Sequence, residues 1–307
     1  MSEVIDFQPV VNPLEVLRAR SAAYLELAKP RIAGMVLVAA ALGFSLALPG
    51  NISFATLPLL IHTLVGTALV AAGANAFNQF LEAPHDALME RTRRRPLPSG
   101  RMTAREVVFF SVLISSGGML YLALLTSFTA ALVALTAWVF YVLAYTPLKR
   151  VTPLCVFIGA FPGALPPVIG WSAVSGDLSR HALIPFAILY FWQLPHFAAI
   201  SWLYREDYAR AGYPLLSVTD PSGVRLNLHM LTHTLALMAV SLLPTFYGLS
   251  GVYYGVGAAA LGLAFLVCGA VFVARHSQSL ARLHLLASVV YLPLLFALMM
   301  VDKTPRG

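Results

Sequence analysis

Nine apolar stretches dominate this 307-residue sequence, and each approaches the ~20 residues that a helix needs to cross a bilayer. Lipid cannot hydrogen-bond to the backbone, so such stretches are expected to be helical. Only 11% of the residues are charged, well below the ~25% usual in soluble domains. We therefore predict an all-α fold, a polytopic membrane helix bundle of nine transmembrane helices around a central cavity. The predicted spans lie at about residues 32–49, 55–80, 107–126, 128–146, 154–173, 182–203, 228–248, 251–274 and 283–301.

The loops between these stretches carry positive charge unevenly. With nine spans threaded in order, all but three of the 20 Lys and Arg residues fall on the side of the N-terminus, the exceptions being Arg180, Lys303 and Arg306. The positive-inside rule makes that side the cytoplasm. We therefore expect a multi-pass protein of the cell inner membrane with its N-terminus inside. The same distribution accounts for the net charge of +7 without a nucleic-acid partner.

The two ends of the chain lie outside the predicted bundle. Residues 1–31 are expected to form a cytoplasmic arm, in which Pro13 to Leu27 make an amphipathic helix against membrane lipid. Residues 32–301 make up the membrane domain, and residues 302–307 form a short periplasmic tail. No stretch has the composition of a separate soluble domain.

The end of the second apolar stretch carries a line of polar residues. Asn78, Glu82 and Asp86 are spaced by four residues, so on a helix they fall on one face within an arc of about 80°. Their oxygen atoms suit a hard cation such as Mg²⁺. Arg91 and Arg95 follow, and guanidinium groups suit phosphate. The pattern predicts a site for a metal-bound diphosphate, with a solvated, charged helix end as the alternative.

A second polar cluster ends the sixth stretch. Pro195 is expected to kink that helix and to free backbone carbonyls beside Gln193 and His196. Glu206 and Asp207 follow in the next loop, where they could supply further carboxylates for a metal or for charge stabilisation. A packing histidine and an ordinary loop are the alternatives.

Three further features of the sequence could belong to a functional site or could have only a structural role. Lys149, at the end of the fourth stretch, could hold a diphosphate or anchor a lipid headgroup. The run of prolines and glycines over residues 159–170 indicates a distorted helix beside a cavity, or close helix packing. His229 and His233 are one turn apart and could hold a metal or a haem iron, although packing is the simpler interpretation, as it is for His62.

Several of these runs resemble motifs of the UbiA superfamily of intramembrane prenyltransferases, over about residues 24–301. They are Asn78-x3-Glu82-x3-Asp86, Arg91-Thr92-x2-Arg95-Pro96-Leu97, Tyr145-Thr146-x2-Lys149-Arg150, Gly163-Ala-x-Pro166-Pro167-x2-Gly170, Trp192-Gln193-x-Pro195-His196-Phe197 and Arg205-x-Asp207-Tyr208-x2-Ala211-Gly212-x-Pro214. The first motif marks the superfamily, and the last two resemble its haem-modifying branch. Glu82 stands where the superfamily usually has Asp, and the second acidic motif of quinone-type relatives is not intact.

The resemblance implies a donor, an acceptor and a set of site residues. The donor would be farnesyl diphosphate with Mg²⁺ as cofactor, and the acceptor a vinyl group of haem b, to which water also adds to give haem O. The implied catalytic residues are Asn78, Glu82, Asp86, His196 and Asp207, and the implied metal ligands are Asn78, Glu82, Asp86, Glu206 and Asp207. The implied substrate-binding residues are Arg91, Arg95, Lys149, Arg150, Gln193, Arg205 and Tyr208. An axial ligand for haem is left open among His196, His229, His233 and His62.

Three alternative functions stay open at this point. A quinone-precursor prenyltransferase is disfavoured by the haem-type motifs. A transporter would also use proline-broken helices, but with a site near the membrane midplane. A haem carrier would not need an acidic helix face followed by arginines. Handover of the product to haem A synthase or a terminal oxidase is a further expectation of the resemblance.

Overall fold

The computed structural model describes residues 13–304, and within that range the regular structure is helical apart from one isolated β-bridge, between Ser250 and Lys303. Nine helical stretches of the described residues are long and apolar enough to span a bilayer. The predicted fold class is confirmed, and every predicted span overlaps one of these stretches.

The helices are α1 (Pro13–Ala28), α2 (Pro30–Ala47), α3 (Leu57–Asp86), α4 (Ala104–Leu125), α5 (Phe128–Val139), α6 (Thr146–Leu148), α7 (Cys155–Ala164), α8 (Pro166–Ser175), α9 (Leu183–Leu203), α10 (Arg205–Arg210), α11 (Leu216–Thr219), α12 (Val224–Phe246), α13 (Val252–Arg275) and α14 (Gln278–Val301). The helix α3 packs along α4, α2 packs along α8, and α12 lies against both α9 and α13.

Several helices extend beyond the apolar stretches that predicted them. Helix α3 continues to Asp86, beyond the end of the apolar span predicted near residue 80, so that Glu82 and Asp86 are helical as their spacing with Asn78 requires. Helix α14 begins at Gln278 rather than near residue 283, because Ser277 caps it by accepting a hydrogen bond from the backbone N–H of Leu280 at 3.3 Å. Hydropathy therefore marks the lipid-facing part of a helix, whereas caps and polar contacts decide where it ends.

The fourth span is interrupted where it approaches α3. Helix α5 continues through a π-helical stretch (Phe140–Tyr145) into α6. The Thr146 hydroxyl donates to the Tyr141 carbonyl at 2.8 Å, which satisfies an oxygen of the widened turn. Its own oxygen accepts from Asn78 Nδ2 at 3.0 Å. The π-helical turn thus joins the fourth span to the polar face of α3, and such turns are frequent at functional sites.

The fifth span is broken into α7 and α8, and both interpretations of its proline- and glycine-rich run hold. Gly163 and Pro166 line an internal cavity, as a distorted helix beside a cavity would. Gly170 packs against α2, where an added Cβ would lie 1.9 Å from the carbonyl oxygen of Ala40. Only glycine permits that approach between the two helices.

The N-terminal arm is described from Pro13 onward, and residues 1–12 lie outside the described part. Helix α1 confirms the predicted helix, with Leu14, Leu17 and Leu25 exposed and with Ala23 and Leu27 buried against the bundle. Helix α2 begins at Pro30, slightly before the boundary predicted between the arm and the membrane domain.

At the other end of the chain, Lys303 ties the predicted tail to α2. Its Nζ donates to the carbonyl oxygens of Ser45, Leu48 and Gly50 at 2.6, 2.9 and 2.6 Å. A cation is favourable there, because the last carbonyls of a helix have no intrahelical partner.

Candidate active site

One cavity of about 380 Å³ lies among α2, α3, the π-helical stretch, α7, α8 and α9. Its polar lining clusters where α3 ends, and its deeper walls are mostly apolar. The polar and aromatic residues of its lining include Lys29, Asn78, Glu82, Asp86, Arg91, Arg95, Trp138, Tyr141, Tyr145, Lys149, Gln193, Phe197 and Tyr208.

The structure places the three spaced residues of α3 on one cavity wall. Asn78, Glu82 and Asp86 are all buried, with 2%, 4% and 0% exposure. Their helical spacing explains this arrangement, since residues four apart share a face. Buried carboxylates are costly without cationic partners, and the surrounding chain supplies such partners.

Two basic side chains bind these carboxylates directly. Arg95 Nη1 lies 2.6 Å from Asp86 Oδ2 and 3.9 Å from Glu82 Oε2. Lys149 Nζ lies 3.0 Å from Glu82 Oε1. Burial alone would lower the pKa of Lys149, but the Glu82 carboxylate outweighs it and holds that pKa well above its usual value. Lys149 is therefore a fixed positive charge in the site.

A third cation reaches the same wall from the junction of α1 and α2. Lys29 Nζ lies 3.3 Å from Asn78 Oδ1. Its backbone is left-handed, with φ 51°, which places the side chain between the two helices. Two amides of α3 hold the preceding carbonyls, with Asn75 Nδ2 3.2 Å from the Ala28 oxygen and Gln79 Nε2 2.9 Å from the Leu27 oxygen.

The electrostatics of Lys29 differ from those of Lys149. Burial, and then the positive charge of Arg95, lower the pKa of Lys29 to about 7. In the sequence this residue falls within the predicted N-terminal arm, and its contact with α3 was not predicted.

Aromatic side chains of the segment after α9 lie against the cations of this acidic face. Lys149 Nζ lies 4.6 Å from the ring centre of Tyr213 and 5.7 Å from that of Tyr208. Arg91 lies 3.5 Å from the Tyr208 hydroxyl and 5.2 Å from the centre of the Tyr204 ring. Aromatic faces thus hold two of the predicted phosphate-binding cations.

The carboxylates of that segment are not brought into the cavity. The Glu206 side chain is 80% exposed and lies 3.8 Å from Arg205. Asp207 is mostly buried but pairs with Arg210 on its own short helix. Helix α10 presents Tyr208 to the cavity instead, because neighbouring residues of a helix point in different directions. The predicted second pair of metal ligands therefore lies apart from Glu82 and Asp86.

Two other predicted substrate-binding residues also lie off the cavity wall. Arg205 stacks over the Trp202 ring at 4.6 Å and donates to the Trp202 carbonyl at 3.1 Å. Arg150 donates to the Leu81 carbonyl, at an exposed position. Gln193, by contrast, is buried and lines the cavity.

The candidate histidines point elsewhere. His196 Nδ1 lies 2.7 Å from the Ser288 hydroxyl of α14, and its ring stacks on Trp192. His233 Nδ1 lies 2.6 Å from the carbonyl of His229, and both rings contact Phe157. His62 Nδ1 lies 2.7 Å from the Tyr121 hydroxyl. In the described part of the chain, none of these four histidines lines the cavity.

Comparison with known proteins gives a consistent family. The sequence matches the UbiA prenyltransferase family over residues 36–298. It is 42% identical to the protoheme IX farnesyltransferase of Solibacter usitatus, over 91% of this chain and 98% of that protein. It is 41% identical to the protoheme IX farnesyltransferase of Koribacter versatilis, over 96% of this chain and 99% of that protein.

Solved structures share the fold at low sequence identity. A digeranylgeranylglyceryl phosphate synthase superposes with a TM-score of 0.76 at 17% identity, over 94% of this chain and 98% of that one. A UbiA homolog from Archaeoglobus fulgidus, bound to GPP and Mg²⁺, superposes with a TM-score of 0.61 at 15% identity, over 90% of this chain and 99% of that one. The long match to the family and the relatives near 40% identity agree, and this chain belongs to the UbiA prenyltransferase family.

Proposed function

We propose that this protein transfers the farnesyl group of farnesyl diphosphate to a vinyl group of haem b, with addition of water, to make haem O. The names of its relatives support the reaction. The observation that carries the proposal is the buried acidic face of α3, interleaved with Lys29, Arg95 and Lys149 at the head of an apolar cavity. We further propose that the site faces the cytoplasm from the inner membrane, and that haem A synthase or a terminal oxidase receives the product.

The oxygen atoms of α3 fit the proposed Mg²⁺. Asp86 Oδ1 is buried and has no hydrogen-bond partner among the described residues, so it is an acceptor oriented for an additional ligand. The described residues contain no group of three or more His, Cys, Asp and Glu side chains that is arranged to hold a metal ion. Mg²⁺ does not need one, since it keeps several waters and takes oxygens from substrate phosphates. Asn78, Glu82 and Asp86 would hold it, and the bound ion would neutralise the diphosphate as a leaving group.

The cationic side chains stabilise the same leaving group. Arg91, Arg95 and Lys149 line the mouth of the cavity, where negative charge accumulates on the diphosphate as its bond to carbon breaks. Arg95 and Lys149 are already oriented by Glu82 and Asp86. Their charges are therefore positioned before the substrate binds, which reduces the reorganisation that the reaction requires.

The cavity has the depth that a farnesyl tail needs. It extends along α3 from Asn78 to Thr67, about 16 Å at 1.5 Å per residue. An extended chain of twelve carbons with bonds of ~1.5 Å is about 14 Å long. Apolar side chains such as Val70 and Ile169 line this deeper part. The tail would thus lie among apolar helices while the diphosphate meets the charged mouth.

Aromatic side chains line the part of the cavity between these regions. Trp138, Tyr141 and Tyr145 belong to the fourth span, and Phe197 belongs to α9. Their π faces can stabilise the allylic cation that forms when diphosphate leaves. Apolar surroundings also keep bulk water from quenching that cation early.

The direct test incubates the purified protein with haem b, farnesyl diphosphate and Mg²⁺, followed by mass spectrometry. We expect a farnesylated, hydrated haem that is lost when the metal is chelated. Absence of farnesylated haem with all components present would refute the proposal. Acceptance of a quinone precursor in place of haem would support the aromatic prenyltransferase instead.

A site variant accompanies this assay. Asp86→Asn removes a carboxylate oxygen from the proposed metal site without changing side-chain size, and should lower turnover at least ~100-fold by analogy with other transition-state charge groups. The variant should elute as the wild type does in size-exclusion chromatography. Near-normal turnover would remove Asp86 from the metal site.

A further inference from the structure

The amide of Gln193 is held in one orientation. Its Nε2 donates to two carbonyl oxygens, those of Ala160 and Leu189, at 3.1 Å each. Rotating the amide by half a turn would bring its oxygen against both carbonyl oxygens, which cannot donate. The position of Oε1 is therefore determined by the fold of α7 and α9.

That oxygen lies over the backbone of Gly163. A Cβ added at Gly163 would lie 2.1 Å from Gln193 Oε1, so the absence of a side chain makes room for the amide. Both residues line the cavity. No donor among the described residues reaches Oε1, whereas both amide hydrogens have acceptors. Gln193 borders the cavity, so Oε1 is an acceptor available to a donor inside the cavity.

The depth of Gln193 places this acceptor below the proposed diphosphate site. Gln193 precedes the end of α9 at Leu203 by about 15 Å, at 1.5 Å per residue. Asn78 precedes the end of α3 at Asp86 by about 12 Å. Both helices line the cavity close to these ends, α3 through Asp86 and α9 through Ser201. The acceptor therefore lies near the level where the tail of the donor joins its diphosphate.

The proposed reaction needs a single water molecule at that level. The bond between C1 of farnesyl and the diphosphate oxygen breaks, and its electron pair leaves with the diphosphate. C1 then bonds to the terminal carbon of the vinyl group, which leaves a positive charge on the inner vinyl carbon. The oxygen of water bonds to that carbon, and the proton that it loses passes to the released diphosphate. Without water, the cation would lose a proton from carbon and give an alkene, lighter by one water.

We propose that Gln193 Oε1 accepts a hydrogen bond from this water and positions it for addition to the inner vinyl carbon. The inference rests on the proposed function. A water molecule at this position can donate one hydrogen to Oε1 while a lone pair on its oxygen faces the cationic carbon. Gln193 is thus a positioning residue for the hydration step, and the formation of the carbon–carbon bond does not depend on it.

The test compares products rather than total activity. Gln193→Met keeps the length of the side chain and removes the acceptor. Gly163→Ala keeps the amide but displaces Oε1. Ser201→Ala is the matched control, because Ser201 also lines the cavity but its hydroxyl donates to the Ala198 carbonyl at 2.9 Å. Each protein is assayed in ¹⁸O-water, and mass spectrometry measures the ratio of hydrated to dehydrated farnesyl-haem.

We expect the wild type and Ser201→Ala to give hydrated product carrying one ¹⁸O. The hydrated-to-dehydrated ratio should fall about tenfold in Gln193→Met and in Gly163→Ala, as the loss of one hydrogen bond implies. An unchanged ratio in Gln193→Met would overturn the inference, as would an equal fall in Ser201→Ala. Loss of both products in a folded Gln193→Met would also overturn it, since that residue would then act before hydration. No farnesyl-haem from the wild type would instead refute the proposed function, and the inference with it.

Discussion

The ion pair between Lys149 and Glu82 offers the sharpest quantitative test of the site. Glu82 is 4% exposed, so Lys149→Met leaves a buried carboxylate without its nearest cation. Breaking a buried pair from one side costs about 3–5 kcal/mol. Arg95 remains 3.9 Å from the other carboxylate oxygen of Glu82. We therefore expect the free energy of unfolding to fall by about 3 kcal/mol, near the lower end of that range. The double variant Lys149→Met, Glu82→Gln removes both charges and should recover most of that loss.

Stability is measured by denaturant titration in detergent micelles, with the two single variants and the double variant forming a cycle. Arg93→Met serves as the control, because its pair with Glu90 is exposed on both sides and should change stability by less than ~1 kcal/mol. Prenyl transfer should be strongly reduced in the single and double variants, because we propose that Lys149 stabilises the diphosphate. A double variant no more stable than Lys149→Met would refute the argument from the buried charge.

Two other predictions concern Lys29 and Glu206. The pKa of Lys29 is about 7 in the folded chain against a usual 10.5, so the unfolded chain binds more protons between those values. The stability of wild type relative to Lys29→Met should therefore rise from pH 7 to pH 10 and be flat below pH 7. A pH-independent difference in denaturant titrations would contradict the burial of this amine. Glu206→Gln should retain turnover within about twofold, because its side chain is 80% exposed and away from the cavity. A loss comparable to that of Asp86→Asn would place Glu206 in the metal site after all.

The acidic face of α3 was predictable because it depends on local geometry alone. Asn78, Glu82 and Asp86 share a face wherever the chain is helical, so their spacing was sufficient. The predicted topology also put the end of the fourth span on the same side of the membrane as the end of α3, which agrees with the contact between Lys149 and Glu82. Both arguments use properties that the sequence displays directly.

Other side chains were placed by contacts between distant parts of the chain. His196 turns toward Ser288, which lies 92 residues later, and nothing in its own segment indicates that direction. Lys29 reaches the site through a left-handed turn held by Asn75 and Gln79. The Lys29-Pro30 pair indicates that a helix begins there, but it does not indicate where the Lys29 side chain points. Tertiary packing therefore decided which polar residues joined the site.

The charges of the site explain how its carboxylates can stay buried and would still be able to bind the proposed metal. Arg95 and Lys149 neutralise Asp86 and Glu82 in the structure. A metal ion arriving alone would displace these cations and leave them buried without partners, which is costly. A diphosphate arriving alone would find them already bound to carboxylates. If both arrived together, the carboxylates would hold the metal and the cations would hold the diphosphate, so that each buried charge would keep a partner of opposite sign. The interleaving of acidic and basic groups along α3 is thus suited to a metal diphosphate more than to either component.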